Sequence, residues 1–484
     1  MSEKYVLTID QSTSQTKAML FSEKGALMDR VDVKHRQITN EKGFVEHDAD
    51  EIYKNTILAV KKLVDRNADK KDGIMCVGIT NQRETAVCFD VKTGMPVYNA
   101  IVWQDGRAKD VTDKLSNKKP YFKNATGLNL SPYFSAPKYA WIINNVEKAR
   151  ELAKSGDLRC SNVDSWLLYK LTGEYKTDFT NASRTLLFNL DKLSYDETAL
   201  QAFGLKKEFL AKPCPSDELF GYTDFEGIFD RKLPISAVMG DSHAALFANS
   251  EKVGAVKATF GTGTSLMQNV GTRRMENVPV SLVESVAFSF GGKAFYCVEG
   301  NINYSGALMQ RLVEMGFAEN VAEISNLAKT VDGNGGVYFV PAFSGLSAPY
   351  WDENARAVLC GMSASTTKAH ICRAAEEAIA FQIEDVFAEM EKNGKSAEYI
   401  YADGGATKDK LLMRLVADLT DKEVYVSSIE ELSAFGVAKL AIRSAEFGKN
   451  NEYSVVSPKK EKEERTRLLS GWQEAVGKAL TNKQ

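Results

Sequence analysis

One short device occurs twice in this sequence, and it narrows the possible folds more than any other feature. Val6-Leu7-Thr8-Ile9 reads as a buried strand that runs into the polar segment Asp10-Gln11-Ser12-Thr13-Ser14, and a second apolar strand follows from Ala18 to Phe21. In the second half, Val256-Lys257-Ala258-Thr259-Phe260 runs into Gly261-Thr262-Gly263-Thr264-Ser265 and then into Leu266-Met267. Both times a turn of small hydroxyl, amide or glycine residues joins two strands. Two such turns facing each other across a cleft would hold a polyphosphate between two lobes. Length points the same way, since 484 residues are too many for one ordinary core. No low-complexity linker marks a boundary. The repeat itself places it near Ala248 to Val253 and divides the chain into domains 1–248 and 249–484.

The segments between these turns alternate as a mixed α/β plan. A turn at Glu23-Lys24-Gly25 leads to a third strand toward Val33. Asp48-Ala49-Asp50-Glu51 then fits a capping box, opening a helix with apolar residues at Tyr53, Ile57, Val60 and Val64. Strands resume at Ile74 to Ile79 and Thr85 to Phe89. Late in the chain Tyr399-Ile400-Tyr401-Ala402 enters the turn Asp403-Gly404-Gly405-Ala406, with a helix expected from about Lys408 to Asp418. Glycines at a strand-to-helix turn let a ligand approach the backbone at the positive end of a helix dipole. Leu432 to Ala445 reads as another helix, and Gly436 inside it calls for close packing or a nearby ligand. The tail Lys459 to Arg465 reads as a solvated face leading to a terminal helix through Trp472.

Composition removes several classes of function. A net charge of −3 gives no reason to expect nucleic acid or an anionic membrane as partner. Tyr5 to Ile9 is a strand's length, far short of a signal or membrane segment, so a cytoplasmic protein is expected. Seven scattered cysteines without a CxxC pair read as reduced, buried thiols. Four histidines show no metal-ligand spacing, so a dedicated zinc enzyme is not expected.

Transfer of a phosphoryl group from ATP needs donors for the phosphates, a carboxylate near the metal and a base for the attacking hydroxyl. A Walker A loop is absent. Gly394-Lys395-Ser396 resembles its end, but Glu389 stands where the earlier glycine is required, and a helix end with a loop is the better reading. A carboxylate that follows an apolar strand can take the proton of an attacking alcohol, and Asp241 stands in such a place. It follows the apolar strand Ala237-Val238-Met239-Gly240 and precedes Ala244-Ala245-Leu246-Phe247, where it would also serve as a helix cap.

Several further segments carry a resemblance: Asp10-Gln11-Ser12-Thr13, Ile79 to Thr85, Asn99 to Gln104, Tyr133-Phe134-Ser135 with Lys138 and Trp141, and Thr180 to Thr185. Gly240-Asp241, Gly261-Thr262-Gly263, Pro341 to Asp352 and Asp403 to Ala406 continue it in order. Taken together, residues 5 to about 445 resemble the FGGY carbohydrate kinase family, the glycerol kinases in particular. The resemblance implies two ribonuclease-H-like domains with the cleft between them. It implies ATP and Mg2+ as cofactors, a small polyol or sugar as substrate, and a homo-oligomer, dimer or tetramer. Asp241 would be the catalytic base and Asp10 the carboxylate near magnesium. Thr13, Ser14 and Lys17 would contact phosphates, Lys17 standing where the family often has Arg and losing its bidentate fork. Gly261 and Thr262 would hold the polyphosphate from the other side. Gly306, Gln310, Gly405, Ala406 and Asp409 would line the nucleotide, Asp409 replacing a usual Asn. Arg83 and Glu84 would clamp the acceptor's hydroxyls, with Trp103 and Tyr133 supplying an apolar wall and one hydroxyl contact.

Three positions depart from the glycerol kinase pattern. Ser242 stands for Gln after the catalytic Asp, Ser265 for Phe, and Asp105 for Cys after Trp103-Gln104. A roomier, more polar acceptor pocket follows as the expectation, suited to a tetritol, pentitol or ketopentose at least as well as to glycerol. An actin-like nucleotide switch is the reading from another class, but a switch has no need of Arg83, Glu84 and Trp103. A degenerate sensor is disfavoured because Asp10 and Asp241 are both present. Glu226 to Lys232 replaces the loop that binds fructose-1,6-bisphosphate in some relatives, and none of the four histidines matches the phosphocarrier-modified one, so neither control is expected.

Overall fold

The computed structural model describes residues 3–393, 395, 397–449 and 452–481. Its first sheet is organised by Tyr5–Gln11, all seven residues of which are buried. A strand covered on both faces is mostly apolar, which explains Tyr5, Val6, Leu7 and Ile9, with Thr8 buried among them and the polar Asp10 and Gln11 at its end. Tyr5–Gln11 pairs antiparallel with Gln15–Ser22, which pairs antiparallel with Leu27–Lys34. On its other side it runs parallel to Ile74–Asn81, itself parallel to Leu233–Gly240, and Gly221–Thr223 closes that edge.

The second sheet repeats this plan. Val256–Phe260 lies antiparallel to Thr264–Gly271 and parallel to Tyr399–Asp403, which is parallel to Glu423–Ser427. Lys293–Ile302 takes the third meander position, with Val283–Phe290 added outside it and Tyr453–Val456 at the far edge. Each sheet thus has an antiparallel meander whose first strand continues into a parallel pair, the arrangement expected of two ribonuclease-H-like domains.

Helices cover these sheets where the apolar pattern requires. Ala49–Arg66 buries Ile52, Val60, Leu63 and Val64, and the Asp48 carboxylate accepts from the Asp50 and Glu51 amides. Glu51 turns its own carboxylate to Arg36 at 3.4 Å, so its part of the expected capping box is directed elsewhere. Leu432–Ile442, although late in the chain, packs on the first sheet and against Asp241–Asn249. The resulting core mixes Val6, Met19 and Met239 with Phe288, Phe435 and Val437, so the two halves share apolar contacts.

Three readings need adjustment. The helix expected from Lys408 starts at Lys410, because Gly405–Lys408 forms a tighter 3-10 turn first. The helix expected to reach Ala445 stops at Ile442, where Arg443 turns left-handed with φ 51°. The tail is more than a solvated face. Arg465 donates to the Leu419 carbonyl and pairs with Glu384 at 2.9 Å, and buried Trp472 stacks on Phe381 and donates to Asp385 at 2.7 Å. Gly394 and Ser396 of the discounted phosphate-loop segment lie outside the described residues. All seven cysteines are free and six are buried, as expected, with Cys360 half-buried.

Candidate active site

Both repeated turns lie at the ends of parallel strand pairs. In the first, the Ser12 amide and hydroxyl both reach the Gln15 carbonyl at 2.9 Å, which closes the turn and leaves Ser14 exposed at its tip. Gln82, at the end of the adjoining strand, buttresses it through Gln11 at 2.7 and 3.0 Å. In the second, Gly261 donates to the Gly263 carbonyl at 2.8 Å, while the Gly261 and Thr262 carbonyls accept from Gly306, Ser305 and Ala307. That seats the head of the helix Gly306–Glu314 on the turn. A Cβ on Gly306 would lie 2.7 Å from the Gly261 oxygen, so the contact requires glycine. Gln310 is exposed one turn along the same helix.

The third turn stands beside the second. Gly404, with φ 97°, comes so near Phe260 that a Cβ would lie 2.2 Å from its carbonyl oxygen, whereas Gly405 faces open space. Ala406 follows half-buried. Asp409 is the N-cap of Lys410–Thr420, accepting from Leu411 at 2.8 Å, and faces Lys329 at 3.7 Å. Its carboxylate is therefore engaged in holding a helix start.

Asp10 and Lys17 face each other across the first hairpin at 3.5 Å. Burial pushes the Asp10 carboxyl up to about 6; Lys17 pulls it down, and Glu431 and Asp241 push it up. Lys17 is bound more tightly to Glu431, at 2.7 Å, a residue at the head of Leu432–Ile442 that also pairs with Arg30. Among the described residues no group of three or more metal-ligating side chains occurs. The site does suit magnesium, which takes one or two carboxylates and leaves its other positions to phosphate and water. A carboxyl raised chiefly by burial, with the carboxylates of Glu431 and Asp241 adding to the rise, is a place where a divalent cation fits.

The expected acceptor clamp forms on a strained bend. Glu84 sits at φ 61°, in the left-handed region that bulky residues avoid. The bend sends Arg83 and Glu84 to two different partners. Arg83 Nε lies 3.2 Å from Asp241 Oδ1, and its two terminal nitrogens lie 3.1 Å from the oxygens of Glu299. Glu84 accepts from Arg184, which contacts Glu299 at 2.8 Å. Charges alternate along Glu84, Arg184, Glu299, Arg83 and Asp241. Burial alone would raise the Glu299 carboxyl, but Arg184 and Arg83 overcome it and hold it well below the usual range.

Asp241 opens the helix Asp241–Asn249 behind the N-cap Gly240, with its side chain 38% exposed. It is thus open to a ligand while its backbone is pinned. Ser433 donates to its carbonyl at 2.9 Å, and the Lys257 ammonium lies 3.5 Å from the next carbonyl, that of Ser242. Trp103 and Tyr133 meet edge to face with ring centroids 5.7 Å apart. Buried Lys138 holds the loop beneath them by donating to the carbonyls of Pro132, Tyr133 and Phe134.

The three departures separate here. Ser242 accepts from Arg83 at 3.3 Å and Ser265 donates to Glu299 at 3.3 Å, so both border the clamp. Asp105 does not face this pocket. It is buried, accepts from the Val45 amide at 2.6 Å and binds Arg107 at 2.6 and 2.9 Å, and Arg107 stacks on Phe44 at 3.8 Å. That carboxylate balances a buried guanidinium, which corrects its expected part in acceptor choice. Glu299 is the main residue that sequence reasoning missed. The available signal was a lone charge after the apolar run Phe295 to Val298. Arg184 lay within a quoted segment but had no assigned part.

Comparisons with known proteins give the chain's relatives. The chain is 42% identical to glycerol kinase 1 of Thermotoga maritima, covering 99% of this chain and 100% of that one. It is 39% identical to glycerol kinase 2 of Sulfolobus acidocaldarius over 99% and 98% of the two chains. The fold superposes on the crystal structure of Plasmodium falciparum glycerol kinase with ADP at a TM-score of 0.93 and 30% identity, covering 99% of both chains. A ligand-bound xylulose kinase from Lactobacillus acidophilus shares the fold at a TM-score of 0.89 and 22% identity, again over 99% of each. Residues 5–248 match the N-terminal domain and residues 256–445 the C-terminal domain of the FGGY family of carbohydrate kinases, and the chain belongs to that family.

Proposed function

We propose that this protein transfers the γ-phosphoryl group of ATP to a hydroxyl of glycerol, with Asp241 as the base. The observation that carries the reading is the pairing of an accessible Asp241 carboxylate with Arg83, on a bend that adjoins the Trp103 and Tyr133 pair. The domain 1–248 supplies the acceptor site and the base; the domain 249–484 supplies most of the nucleotide site. Arg83 donates to one acceptor hydroxyl, and the Glu84 oxygen not engaged by Arg184 accepts from another. Trp103 and Tyr133 pack on the carbon chain and exclude water. Asp241 takes the proton of the attacking hydroxyl as the new O–P bond forms. Thr13, Ser14 and Lys17 meet the phosphates from one side, Gly261 and Thr262 from the other. Gly306, Gln310, Gly405 and Ala406 line the nucleoside, and Asp409 shapes that wall as a helix cap. Asp10 is the residue that would hold magnesium, which supplies positive charge against the phosphates when bound. The relatives named glycerol kinase support the choice of acceptor.

Ser242 and Ser265 favour a second reading, in which the space beside Arg83 and Glu299 admits a tetritol, pentitol or ketopentose. ADP release with Mg-ATP across glycerol, erythritol, the pentitols, ribulose, xylulose and dihydroxyacetone separates the two. Glycerol as the best acceptor by kcat/KM is the expected result; a fast longer acceptor with poor glycerol turnover would install the second. Asp241→Asn should lower kcat by at least about a thousandfold while nucleotide affinity stays within about twofold. Near-normal turnover in that variant would remove Asp241 from its role.

A further inference from the structure

Thr13, in the first of these turns, is held at its hydroxyl and at its carbonyl by side chains from elsewhere. The Trp103 indole nitrogen donates to Thr13 Oγ1 at 3.0 Å, and His35 Nε2 meets the Thr13 carbonyl at 2.8 Å. An indole N–H can only donate. Thr13 Oγ1 is therefore fixed as an acceptor on that side, and its own proton must leave in another direction. The turn around it is open toward exposed Ser14, where a phosphate would lie. Trp103 meanwhile forms the acceptor wall with Tyr133, and its backbone amide donates to Thr85 Oγ1 at 3.2 Å, just past the Arg83-Glu84 bend. One residue thus joins the aromatic wall to the first turn and is anchored next to the Arg83-Glu84 bend.

We propose that Trp103 is a positioning residue that couples the two substrates: its indole N–H turns the Thr13 hydroxyl toward the transferred phosphoryl group, and an acceptor packed on the ring fixes that orientation. The inference rests on the kinase reading above. His35 completes the device by holding the Thr13 carbonyl, which fixes the backbone beside the hydroxyl that Trp103 orients. A ligand that immobilises the indole lowers the entropy lost when phosphate later meets an already oriented hydroxyl. Linkage makes the effect reciprocal: acceptor strengthens nucleotide binding by the same factor as nucleotide strengthens acceptor binding. A single oriented hydrogen bond sets that factor at about fivefold.

The test uses the full chain and Mg-ADP, with its dissociation constant measured with and without saturating glycerol. Wild type should bind the nucleotide about fivefold more tightly with acceptor present. Trp103→Phe keeps an aromatic wall and loses the donor. It should bring the ratio to about one, leave nucleotide affinity without acceptor within about twofold, and lower kcat about tenfold. Thr13→Val should also abolish the ratio, and the double variant should be no worse than Thr13→Val alone. A wild-type ratio retained in Trp103→Phe, or additive effects in the double variant, overturns the proposal while the kinase reading stands. If Trp103→Phe fails to fold, the Thr13→Val ratio decides alone. Wild-type protein without acceptor-dependent turnover of Mg-ATP overturns the kinase reading and the coupling with it.

Discussion

Glu299 bonds Arg83 and contacts Arg184 at no measurable exposure, so its replacement isolates charge from shape. Glu299→Gln leaves two buried guanidiniums without their shared counter-charge, and breaking a buried pair from one side is destabilising by about 3 kcal/mol. The acceptor KM should rise about tenfold, because Arg83 loses the partner that aims it, while the KM for ATP changes little. Equal rises in both would mean that the variant disturbs the cleft as a whole. His47 gives the residue scale a pH signature. It is fully buried, donates to the Arg36 carbonyl and stands edge-on to His35 with ring centroids 4.8 Å apart. Burial, with a smaller contribution from the neighbouring His35, lowers its pKa to about 4. The unfolded chain takes up a proton near 6.5 that the folded one refuses, so stability is full above 6.5 and falls as pH drops toward 4. In urea unfolding the wild type should lose about 2–3 kcal/mol more than His47→Gln between pH 7 and pH 4.5, the difference isolating this histidine from the carboxyls that titrate in the same range. These residues also show where reading the sequence stops. Asp10, Arg83 and Asp241 stand beside recognisable strand ends and were legible. Glu299 and Arg184 matter through partners far away in sequence, and no local pattern announces such a pairing. Asp105 was misjudged for the same reason: its partner Arg107 is two residues away, but the cage of Glu46, Tyr98 and Phe44 that buries the pair is assembled only by folding.

Helix Leu432–Ile442 shows what one glycine does for an element. A Cβ on Gly436 would lie 2.0 Å from the Ala244 carbonyl oxygen and 2.8 Å from its carbon. The backbones of Leu432–Ile442 and Asp241–Asn249 therefore touch, and close packing is the reason for the glycine that the sequence left between two explanations. Gly436→Ala gains about 1 kcal/mol of helix propensity but must push two helices apart. A net loss of about 2–3 kcal/mol in urea unfolding is expected, with kcat reduced, since the displaced helix begins at Asp241. Unchanged stability would show that the helices do not meet there. Elements with a clear period and clean ends were legible throughout, as the two hairpins and Ala49–Arg66 show. Their ends were less so. The 3-10 turn at Gly405–Lys408 and the left-handed stop at Arg443 depend on where the strands set the chain, not on propensity.

At the scale of the molecule, the repeat in the sequence predicts two similar sheets, but not that a helix of the second half would lie on the first sheet. That crossing brings Glu431 onto Lys17 and Arg30, so a carboxylate from one half of the chain occupies the cation expected to meet phosphate on the other. Glu431 and a bound polyphosphate then compete for the same ammonium, and the sign of the consequence follows. Glu431→Gln should loosen the contact between the halves by roughly 1–2 kcal/mol, because the pair is largely desolvated. At the same time it should tighten MgATP binding several-fold by releasing Lys17, an effect that shrinks as salt screens the freed charge. Calorimetric titration with MgATP at low and high ionic strength, alongside urea unfolding without nucleotide, reads both quantities. Weaker nucleotide binding in the variant would reverse the interpretation: Glu431 would be aiming Lys17 at the phosphate, and the contact between the halves would belong to the nucleotide-bound arrangement.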